Sequence, residues 1–477
     1  MAQDKNFVEV IPDAKRLIHS LRDMGYDFAA AVSDLVDNSI EAGATLVAID
    51  IEFAGDDSWV RIADNGKGMK PADIREAMRY GSEREYTDED LGKFGLGMKV
   101  ASLSQCQRMS VASRTSRERA EIAAYCWDLE HIAKSKRWEI VELDRESMGA
   151  TLRTPLIDTS GTVVLWQRLD RLLGYQYPYG EHARKRLLGM CREAEEYLAM
   201  VFHRFLSGEA KGRKKLRIVL NGNEVRAWDP FARSEPETKA LSPIPIRIED
   251  GQISGYVVLD PFVLPQQSRF SSPEAFKRTS GLNNWNQQQG FYIYRADRLI
   301  QSGGWSRLRT LDEHTKLARV ALRFSPQLDD AFKVNVAKMK VQIPQQIREQ
   351  IEHALKPVIK MAQEAYRRDG ARDNAASFAS AARNSNTTAS RTDATQLATA
   401  QVGNAVATSA DPIGASLVAA GSHTAINTRE GGEPNGSDQA TSFQDVIGSL
   451  LSVATKFERP IITRVADRLT QRGLKGN

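Results

Sequence analysis

The chain has 477 residues, of which 41% are hydrophobic and 26% are charged, and its formal net charge is +4. This length is enough for two or three domains, and the balance is ordinary for a globular protein. No apolar run approaches the length of a membrane span, so we expect no membrane partner, and the charge is too small to identify a partner.

The cysteines and the N-terminus predict the compartment. Cys106, Cys126 and Cys191 are far apart and form no CxxC pair, which favours a reducing compartment without a disulfide framework or a zinc site. The first residues, "MAQDKNFVEV", lack the basic and then apolar pattern of a signal peptide. We therefore expect a cytoplasmic protein.

Helices and strands alternate in the N-terminal part. Residues 8–44 have helical periodicity in two stretches, and Gly43 is a suitable C-cap for the second. The second stretch places four apolar residues on one side: Val32, Leu35, Val36 and Ile40. Further elements are a short helix at 70–81 and strands at 46–53, 59–65, 108–114, 120–129 and 162–169. The mixed order predicts an α+β fold.

A second module follows a helical stretch at 178–208 and runs from about 212 to 345, with a closing helix at 344–370. Residues 371–440 are dominated by Ala, Ser, Thr, Asn and Gly, which predicts a disordered linker. The last apolar-periodic stretch, 442–471, reads as one or two helices broken at Pro460. We expect it to dock on a protein partner or to pair with its copy.

A glycine-rich stretch, "DLGKFGLGMKVASL" (90–103), precedes a predicted helix and contains Gly92, Gly95 and Gly97. It is neither a GxxxxGK[ST] P-loop nor a GxGxxG dinucleotide fingerprint. Its glycines free successive backbone N–H groups to point at one anion, and Lys99 can add a positive charge. The alternative is a flexible surface loop, so other parts of a phosphate site are needed.

The stretch "SDLVDNSIEA" (33–42) supplies the first such part. Asp34 and Asn38 are i,i+4 neighbours on a predicted helix. The Asn38 Oδ1 atom can bind Mg²⁺, and the Asp34 carboxylate can orient a water or accept its proton. Asp37 is a poor substitute because it is one residue short of a full turn from Asp34. The alternative is a solvated helix face with acidic caps.

Two further stretches provide candidates for the base of a nucleotide. In "IADNGKGMK" (62–70), Asp64 ends a strand and can accept a hydrogen bond from an exocyclic amine. Gly66 and Gly68 allow close approach to a planar ring, and Met69 can pack on it. Thr162 opens a later strand in "SGTVVLWQRL" and can bond the purine edge. The alternative for the first stretch is a hairpin turn.

The order and spacing of these motifs resemble the GHKL ATPases, the superfamily of gyrase B, heat-shock chaperones, histidine kinases and MutL. The resemblance covers about residues 15–170 and implies a Bergerat-type ATP-binding α/β sandwich. "GKFGLGMKVASLS" and "FYIYRADRLI" are most similar to the MORC and MutL branches. The implied organisation is an ATP-binding domain (1–175), a helical connector (176–211), an S5-like transducer domain (212–370), a disordered linker (371–440) and a C-terminal helical segment (441–477).

The resemblance implies a role for each motif residue. Adenine would bind at Asp64 and Asn38 would hold Mg²⁺, while Asp34 stands where the family usually has a longer Glu as base, so we expect slow hydrolysis. From the second domain, Lys338 in "VNVAKMKVQIP" would reach the γ-phosphate, with Lys340 as the fallback; the alternative is a solvated strand edge. The remaining implied nucleotide contacts are Gly66, Gly68, Met69, Gly92, Lys93, Phe94, Gly95, Leu96, Gly97, Met98, Lys99 and Thr162.

The implied function is an ATP-hydrolysing clamp that forms a homodimer when it binds ATP. By analogy it would act on double-stranded DNA without sequence preference, in bacterial DNA defence or repair, and would then be nucleoid-associated. Basic residues at 211–217 and arginines at 294–310 are candidates for DNA contacts. The alternatives are a nucleotide-gated or chaperone-like scaffold with little turnover, and a histidine kinase, for which His19 lies too close to "DLVDNSIEAGA" (34–44) to be the phosphoacceptor.

Overall fold

The computed structural model describes residues 12–23, 26–81, 97–115, 121–174, 177, 179–250, 253–281, 284–334 and 341–367. All of these belong to one compact unit, Met1–Gln396. The predicted linker (371–440) and C-terminal helical segment (441–477) lie outside the described residues, and so does the first half, 90–96, of the glycine-rich stretch.

The helices follow the predicted order. α2 begins after Asp27, whose carboxylate caps the helix by accepting a hydrogen bond of 2.7 Å from the backbone N–H of Ala30. The described helices are α1 (Ala14–Arg22), α2 (Phe28–Glu41), α3 (Pro71–Met78), α4 (Gly97–Leu103), α5 (Leu129–Ser135), α6 (Gly149–Arg153), α7 (Glu181–Val201), α8 (His203–Ser207), α9 (Pro273–Ser280) and α10 (348–367).

The first sheet has the strand order β5-β4-β3-β6-β2-β1-β7-β8. Its pairs are antiparallel except for the parallel pair of β1 and β7. The predicted apolar side of α2 is buried, and it belongs to the same hydrophobic core as β1 and β2. The strands are β1 (Leu46–Glu52), β2 (Trp59–Asp64), β3 (Arg108–Arg114), β4 (Ala123–Asp128), β5 (Val141–Glu142), β6 (Gly161–Gln167), β7 (Arg217–Leu220) and β8 (Asn223–Glu224).

The first sheet extends beyond residue 212, where the sequence placed the start of the second domain. Leu46 of β1 lies beside Arg217 of β7, and the backbone N–H of Arg217 donates to the carbonyl of Thr45. The alternating apolar residues of β7 are buried with those of the first core. The chain therefore returns to the N-terminal sheet after α7 and α8, before it forms the second sheet.

The second sheet has the order β10-β11-β14-β12-β13, and β9 pairs with β11. β14 lies between β11 and β12 and is parallel to β12. α10 covers this core with a helical stripe of buried residues: Ile351, Leu355, Val358 and Ala362. The strands are β9 (Lys239–Ala240), β10 (Ile244–Asp250), β11 (Ile253–Val263), β12 (Gly290–Arg295), β13 (Arg298–Ser302) and β14 (Ala318–Phe324).

The described fold is α+β, as the sequence predicts. Its strand registers bring polar residues to one end of the first sheet, since Val47 lies opposite Asp64 and Ser113 lies opposite Thr162. The end of β2, the start of β6 and the end of β3 are therefore adjacent. Among the described residues, every helix is too short or too polar to cross a bilayer.

Candidate nucleotide-binding site

The two candidate polar residues of helix α2 differ in their exposure to solvent. Asp34 is only 3% exposed, whereas Asn38, one turn later, is exposed to solvent. The Tyr26 hydroxyl donates to Asp34 Oδ2 at 2.9 Å. Burial, together with the Asp34 charge, raises the pKa of Tyr26 far above its ordinary value, so this hydroxyl remains a donor at any physiological pH. The exposed amide of Asn38 is placed to reach a ligand.

Asp64 connects three of the predicted motifs through hydrogen bonds. Its Oδ1 accepts hydrogen bonds from the backbone N–H of Gly66 at 2.8 Å and of Thr162 at 3.3 Å. Its Oδ2 accepts from the Ser39 hydroxyl of α2 at 3.2 Å. A carboxylate has about four acceptor positions, so one remains for a further donor. Residues far apart in the sequence thus converge on one carboxylate.

Burial is the main cause of the unusual acidity of Asp64. It raises the pKa of the Asp64 carboxyl to about 6, and the hydrogen bonds from Gly66, Ser39 and Thr162 act in the opposite direction. The group is therefore ionised at neutral pH but becomes protonated in mildly acidic solution. An ionised carboxylate is the form that accepts a hydrogen bond from an amine.

The glycines after Asp64 are required by close backbone approaches. Gly68 has φ +68°, and a Cβ atom there would lie 2.0 Å from the Arg114 carbonyl oxygen. A Cβ atom at Gly66 would lie 2.8 Å from the Cβ atom of Ala42. The turn is therefore packed between α2 and β3, which is more than a two-residue hairpin connection requires.

A hydroxyl pair fixes the turn to the strands beneath it. The Ser113 hydroxyl lies 2.9 Å from the Thr162 hydroxyl and donates to the Gly161 carbonyl at 2.8 Å. It also accepts from the backbone N–H of Met69 at 2.8 Å. Thr162 and Met69 are half-buried. Ser113 and Ser39 were not predicted, because a serine in a strand or a helix has no distinctive spacing.

The structure places Lys99, which is a predicted phosphate contact, in the protein interior. Its side chain is buried, and its ammonium donates to the Ala77 carbonyl of α3 at 2.9 Å. Burial lowers the pKa of Lys99 to about 8. Gly97 and Met98, at the start of α4, are half-buried, and Gly97 lies against Asp34, because a Cβ atom at Gly97 would be 3.3 Å from Asp34 Oδ2. The role of these residues in nucleotide binding stays a prediction.

Several predicted contacts lie outside the described residues. They are the two candidate transducer lysines, Lys338 and Lys340, and five residues of the glycine-rich stretch, Gly92, Lys93, Phe94, Gly95 and Leu96. Their assignments stay predictions.

The arginines at 294–310 divide into two sets, and for one of them the predicted role in binding DNA is wrong. Arg295 and Arg298 are 3% and 1% exposed and form ion pairs with Asp329 and Asp37, so they cannot contact a phosphate backbone. Two other arginines of this stretch, Arg307 and Arg309, are exposed. The sequence could not separate the sets, because arginines of both sets have apolar residues beside them.

Arg298 connects the second sheet to α2. Its Nε atom lies 2.8 Å from Asp37 Oδ2, and its Nη2 atom donates to the Ser33 hydroxyl at 3.1 Å. Asp34 Oδ1 is 3.9 Å from the same Nη2 atom. Burial disfavours the charge of Arg298, but the carboxylates outweigh this and raise its pKa. The two sheets therefore share a buried charge cluster next to the candidate base.

Residues 26–162 match the family described as histidine kinase-, DNA gyrase B-, and HSP90-like ATPase. All the predicted motif residues from Asp34 to Thr162 lie in this segment. The segment thus matches a GHKL ATPase domain, and part of the chain is similar to MutL. The match to this ATPase family supports ATP binding and ATP hydrolysis as the general activity of the segment.

Among curated proteins, the chain is similar to the DNA mismatch repair protein MutL from several bacteria. It is 38% identical over 102 residues to MutL of Shewanella amazonensis and 36% identical to that of Shewanella frigidimarina. MutL of an Enterobacter species is 37% identical over the same length. Each match covers 20% of this chain and 16% of the relative. The likeness is therefore confined to a small part of both proteins.

The residues present are compatible with a nucleotide and Mg²⁺. Asp64 retains acceptor capacity at neutral pH, and Gly66 beside it has no room for a side chain of its own. No group of three His, Cys, Asp or Glu residues that could hold a metal occurs in the part of the chain that the structure describes. Asn38 would therefore hold Mg²⁺ together with phosphate oxygens, as Mg²⁺ sites of phosphoryl-transfer enzymes commonly do.

Proposed function

We propose that this protein is an ATP-driven clamp that dimerises on binding ATP, hydrolyses it slowly and acts on double-stranded DNA without sequence preference. The convergence on Asp64 of Ser39, Gly66 and Thr162 carries the proposal. Each of these residues comes from a different motif of the matched segment. A coincidental hairpin or helix face would not bring the three together.

In this proposal the chain's own residues divide the work. Asp64 accepts a hydrogen bond from the adenine amine, and the phosphates are assigned to the glycine-rich stretch around Gly95, which lies outside the described residues. Asn38 would hold Mg²⁺, which would supply positive charge at the phosphate oxygens. Asp34 orients the attacking water and accepts its proton. Lys338 neutralises charge that develops on the γ-phosphoryl group.

The short side chain of Asp34 supports the expectation of slow turnover. Aspartate is one methylene shorter than glutamate, so its carboxylate reaches about 1.3–1.5 Å less far. Asp34 is also buried and hydrogen-bonded to Tyr26, which fixes where the carboxylate lies. Proton transfer requires close approach, so a fixed and shorter base limits the rate.

Clamp action is tested by measuring the molecular mass in solution with and without a non-hydrolysable ATP analogue. We expect a shift from monomer to dimer on adding the analogue with Mg²⁺. Asn38→Ala should abolish the shift, whereas substitution of a distant exposed residue, Asn223→Ala, should leave it unchanged. A protein that binds the analogue without changing mass would contradict the clamp and favour a nucleotide-gated scaffold.

The likeness to MutL supports a DNA client, but it covers a small part of either protein. The run at 211–217 offers exposed cations: Lys211, Arg213, Lys214, Lys215 and Arg217. Exposed lysines and arginines bind the phosphate backbone without base readout, and such binding weakens steeply as salt rises. Binding to long duplex DNA that falls with salt would support the proposal, and no binding at low salt would contradict it.

A further inference from the structure

We propose that Arg298 is a positioning residue for the ATPase reaction, which holds the carboxylate of Asp34 in place from the second sheet. The inference rests on the proposed function, since it takes Asp34 to be the group that orients the attacking water. Its support comes from a buried cluster in which Arg298, which lies outside the ATP-binding motifs, contacts Ser33 and Asp37 of α2. Arg298 itself would touch neither nucleotide nor water.

One guanidinium contacts a full turn of α2. Arg298 Nε lies 2.9 Å from Asp37 Oδ1 and 2.8 Å from Asp37 Oδ2. Its Nη2 lies 3.1 Å from the Ser33 hydroxyl and 3.9 Å from Asp34 Oδ1. Ser33, Asp34 and Asp37 are all at most 3% exposed. A planar guanidinium with fixed donor directions sets the orientation of the groups that it spans.

The other oxygen of Asp34 is constrained as well. The Tyr26 hydroxyl donates to Oδ2 at 2.9 Å, and the start of α4 approaches the same oxygen at Gly97. The Tyr26 hydroxyl thus fixes one oxygen of Asp34, and the Arg298 guanidinium lies 3.9 Å from the other. Because an aspartate reaches less far than a glutamate, its placement must be accurate for it to act on a water.

The hairpin that carries Arg298 is itself fixed to the helical connector. Arg204 of α8 forms an ion pair of 2.9 Å with Asp297 and lies 3.7 Å from the centre of the Tyr294 ring. His203 of α8 makes a hydrogen bond of 2.8 Å with the Tyr294 hydroxyl. These contacts hold the β12–β13 hairpin against α8, and Arg298 contacts α2 from this hairpin. The position of the second sheet therefore determines where the guanidinium meets Asp34.

The same hairpin provides a matched control for a purely structural role. Arg295 is also buried, and its Nε atom lies 2.8 Å and 2.9 Å from the two carboxylate oxygens of Asp329. This pair lies within the second module and includes no residue of α2. Arg295→Met and Arg298→Met thus both break a buried ion pair, but only the second should act on the ATPase site.

The experiment measures turnover per folded molecule and affinity for a non-hydrolysable ATP analogue in both variants. We expect Arg298→Met to lose turnover about 10- to 100-fold while its analogue affinity stays within about twofold. Arg298→Lys should regain part of the loss because the positive charge returns. Arg295→Met should keep turnover per folded molecule within about twofold of the unmodified protein.

A double variant separates positioning from folding. Asp37→Asn combined with Arg298→Met leaves no uncompensated charge from this pair, so the protein should fold even if Arg298→Met alone does not. We expect its thermal stability to recover while its turnover stays low, because Asp34 still lacks the guanidinium. Turnover that recovers together with stability overturns the inference, and so does normal turnover in Arg298→Met. If the unmodified protein does not hydrolyse ATP, the proposed function fails, which is a separate result.

Discussion

The two sheets use their buried polar residues differently. In the first sheet, Asp64 and Thr162 lie half-buried at strand ends, where a ligand can reach them. In the second sheet, Arg319 is fully buried, donates to the carbonyls of Pro230 and Thr279, and lies 5.0 Å from the centre of the Trp285 ring. The first arrangement leaves acceptor positions open, and the second encloses its charge within the fold.

From this difference we expect the first sheet to provide the reactive groups and the second sheet to stabilise the fold. A charge enclosed by protein groups stabilises one conformation but has no route to a ligand. Arg298 is the exception in the second sheet, since its partners belong to α2 of the first. Matched substitutions in the two sheets should therefore differ in activity more than in stability, and the following experiments test this.

The largest contrast is expected between two buried aspartates. Asp34→Asn removes the candidate base, so ATP turnover should fall about 10²- to 10⁴-fold, which is the usual contribution of a general base. Asp329→Asn leaves Arg295 buried without its charge partner and should cost about 3–5 kcal/mol of stability. Turnover per folded molecule should be unchanged in Asp329→Asn. Steady-state ATPase assays, with the folded fraction taken from circular dichroism, compare the two variants.

Equal effects on turnover in these two variants would remove the contrast. If Asp34→Asn keeps normal turnover, another group activates the water and Asp34 is structural. If Asp329→Asn loses turnover per folded molecule, the second sheet contributes to the reaction beyond Arg298.

Two glycines allow the same steric test in each sheet. A Cβ atom would lie 2.0 Å from a carbonyl oxygen at Gly68 and 2.1 Å from one at Gly290, and both residues have positive φ. Each alanine variant should lose about 1–3 kcal/mol of stability because the backbone must shift. Only Gly68→Ala should also weaken binding of an ATP analogue, by about tenfold, measured by calorimetry on folded protein. Equal affinity losses would show that the effect is general destabilisation.

The sequence predicts the first sheet's site better than its connection to the second. Asp64, Gly66 and Thr162 occur in ordered motifs with a fixed spacing, and the structure brings them together. The α+β class followed from the period of the apolar residues. Motif reasoning finds residues whose chemistry depends on neighbours that are close in the chain or ordered along it.

Arg298 and Ser113 could not be found in this way. Arg298 meets Asp37 across 261 positions of the chain, and one arginine in a basic stretch carries no sign of burial. Ser113 gains its role only from the register of β3 against Thr162 of β6. The extension of the first sheet beyond residue 212 could not be predicted for the same reason. The pairing of β7 with β1 depends on the tertiary fold and not on local sequence pattern.

The acidity of Asp64 predicts that pH acts on the first sheet's site. Its carboxyl has a pKa of about 6 in the folded protein, against an ordinary value of 3.8. Protonation replaces an acceptor by a donor, so affinity for ATP should fall about tenfold when the pH is lowered from 7 to 5. Without nucleotide, the free energy of unfolding should fall as pH rises from 3.8 to 6, because the folded chain retains a proton that the unfolded chain has lost.

Asp64→Asn provides the control for this titration. The amide keeps an acceptor oxygen but does not ionise in this range, so its affinity for ATP, although lower, should be the same at pH 5 and pH 7. Analogue binding by calorimetry at both values decides the matter. A pH dependence that survives in Asp64→Asn would assign the titration to another group.

The smallest effects are expected at exposed cations, which compare the DNA-binding capacity of the two modules. Lys214 and Lys215 precede β7 of the first sheet, whereas Arg307 and Arg309 follow β13 of the second, and all four are exposed. Replacing either pair by alanine should change stability by no more than about 0.5 kcal/mol. Each residue that contacts a phosphate should reduce the slope of log affinity against log salt by about 1. If the slope of log affinity against log salt falls for only one pair of variants, the DNA lies along that module. An unchanged slope for both pairs would contradict DNA contact at either run.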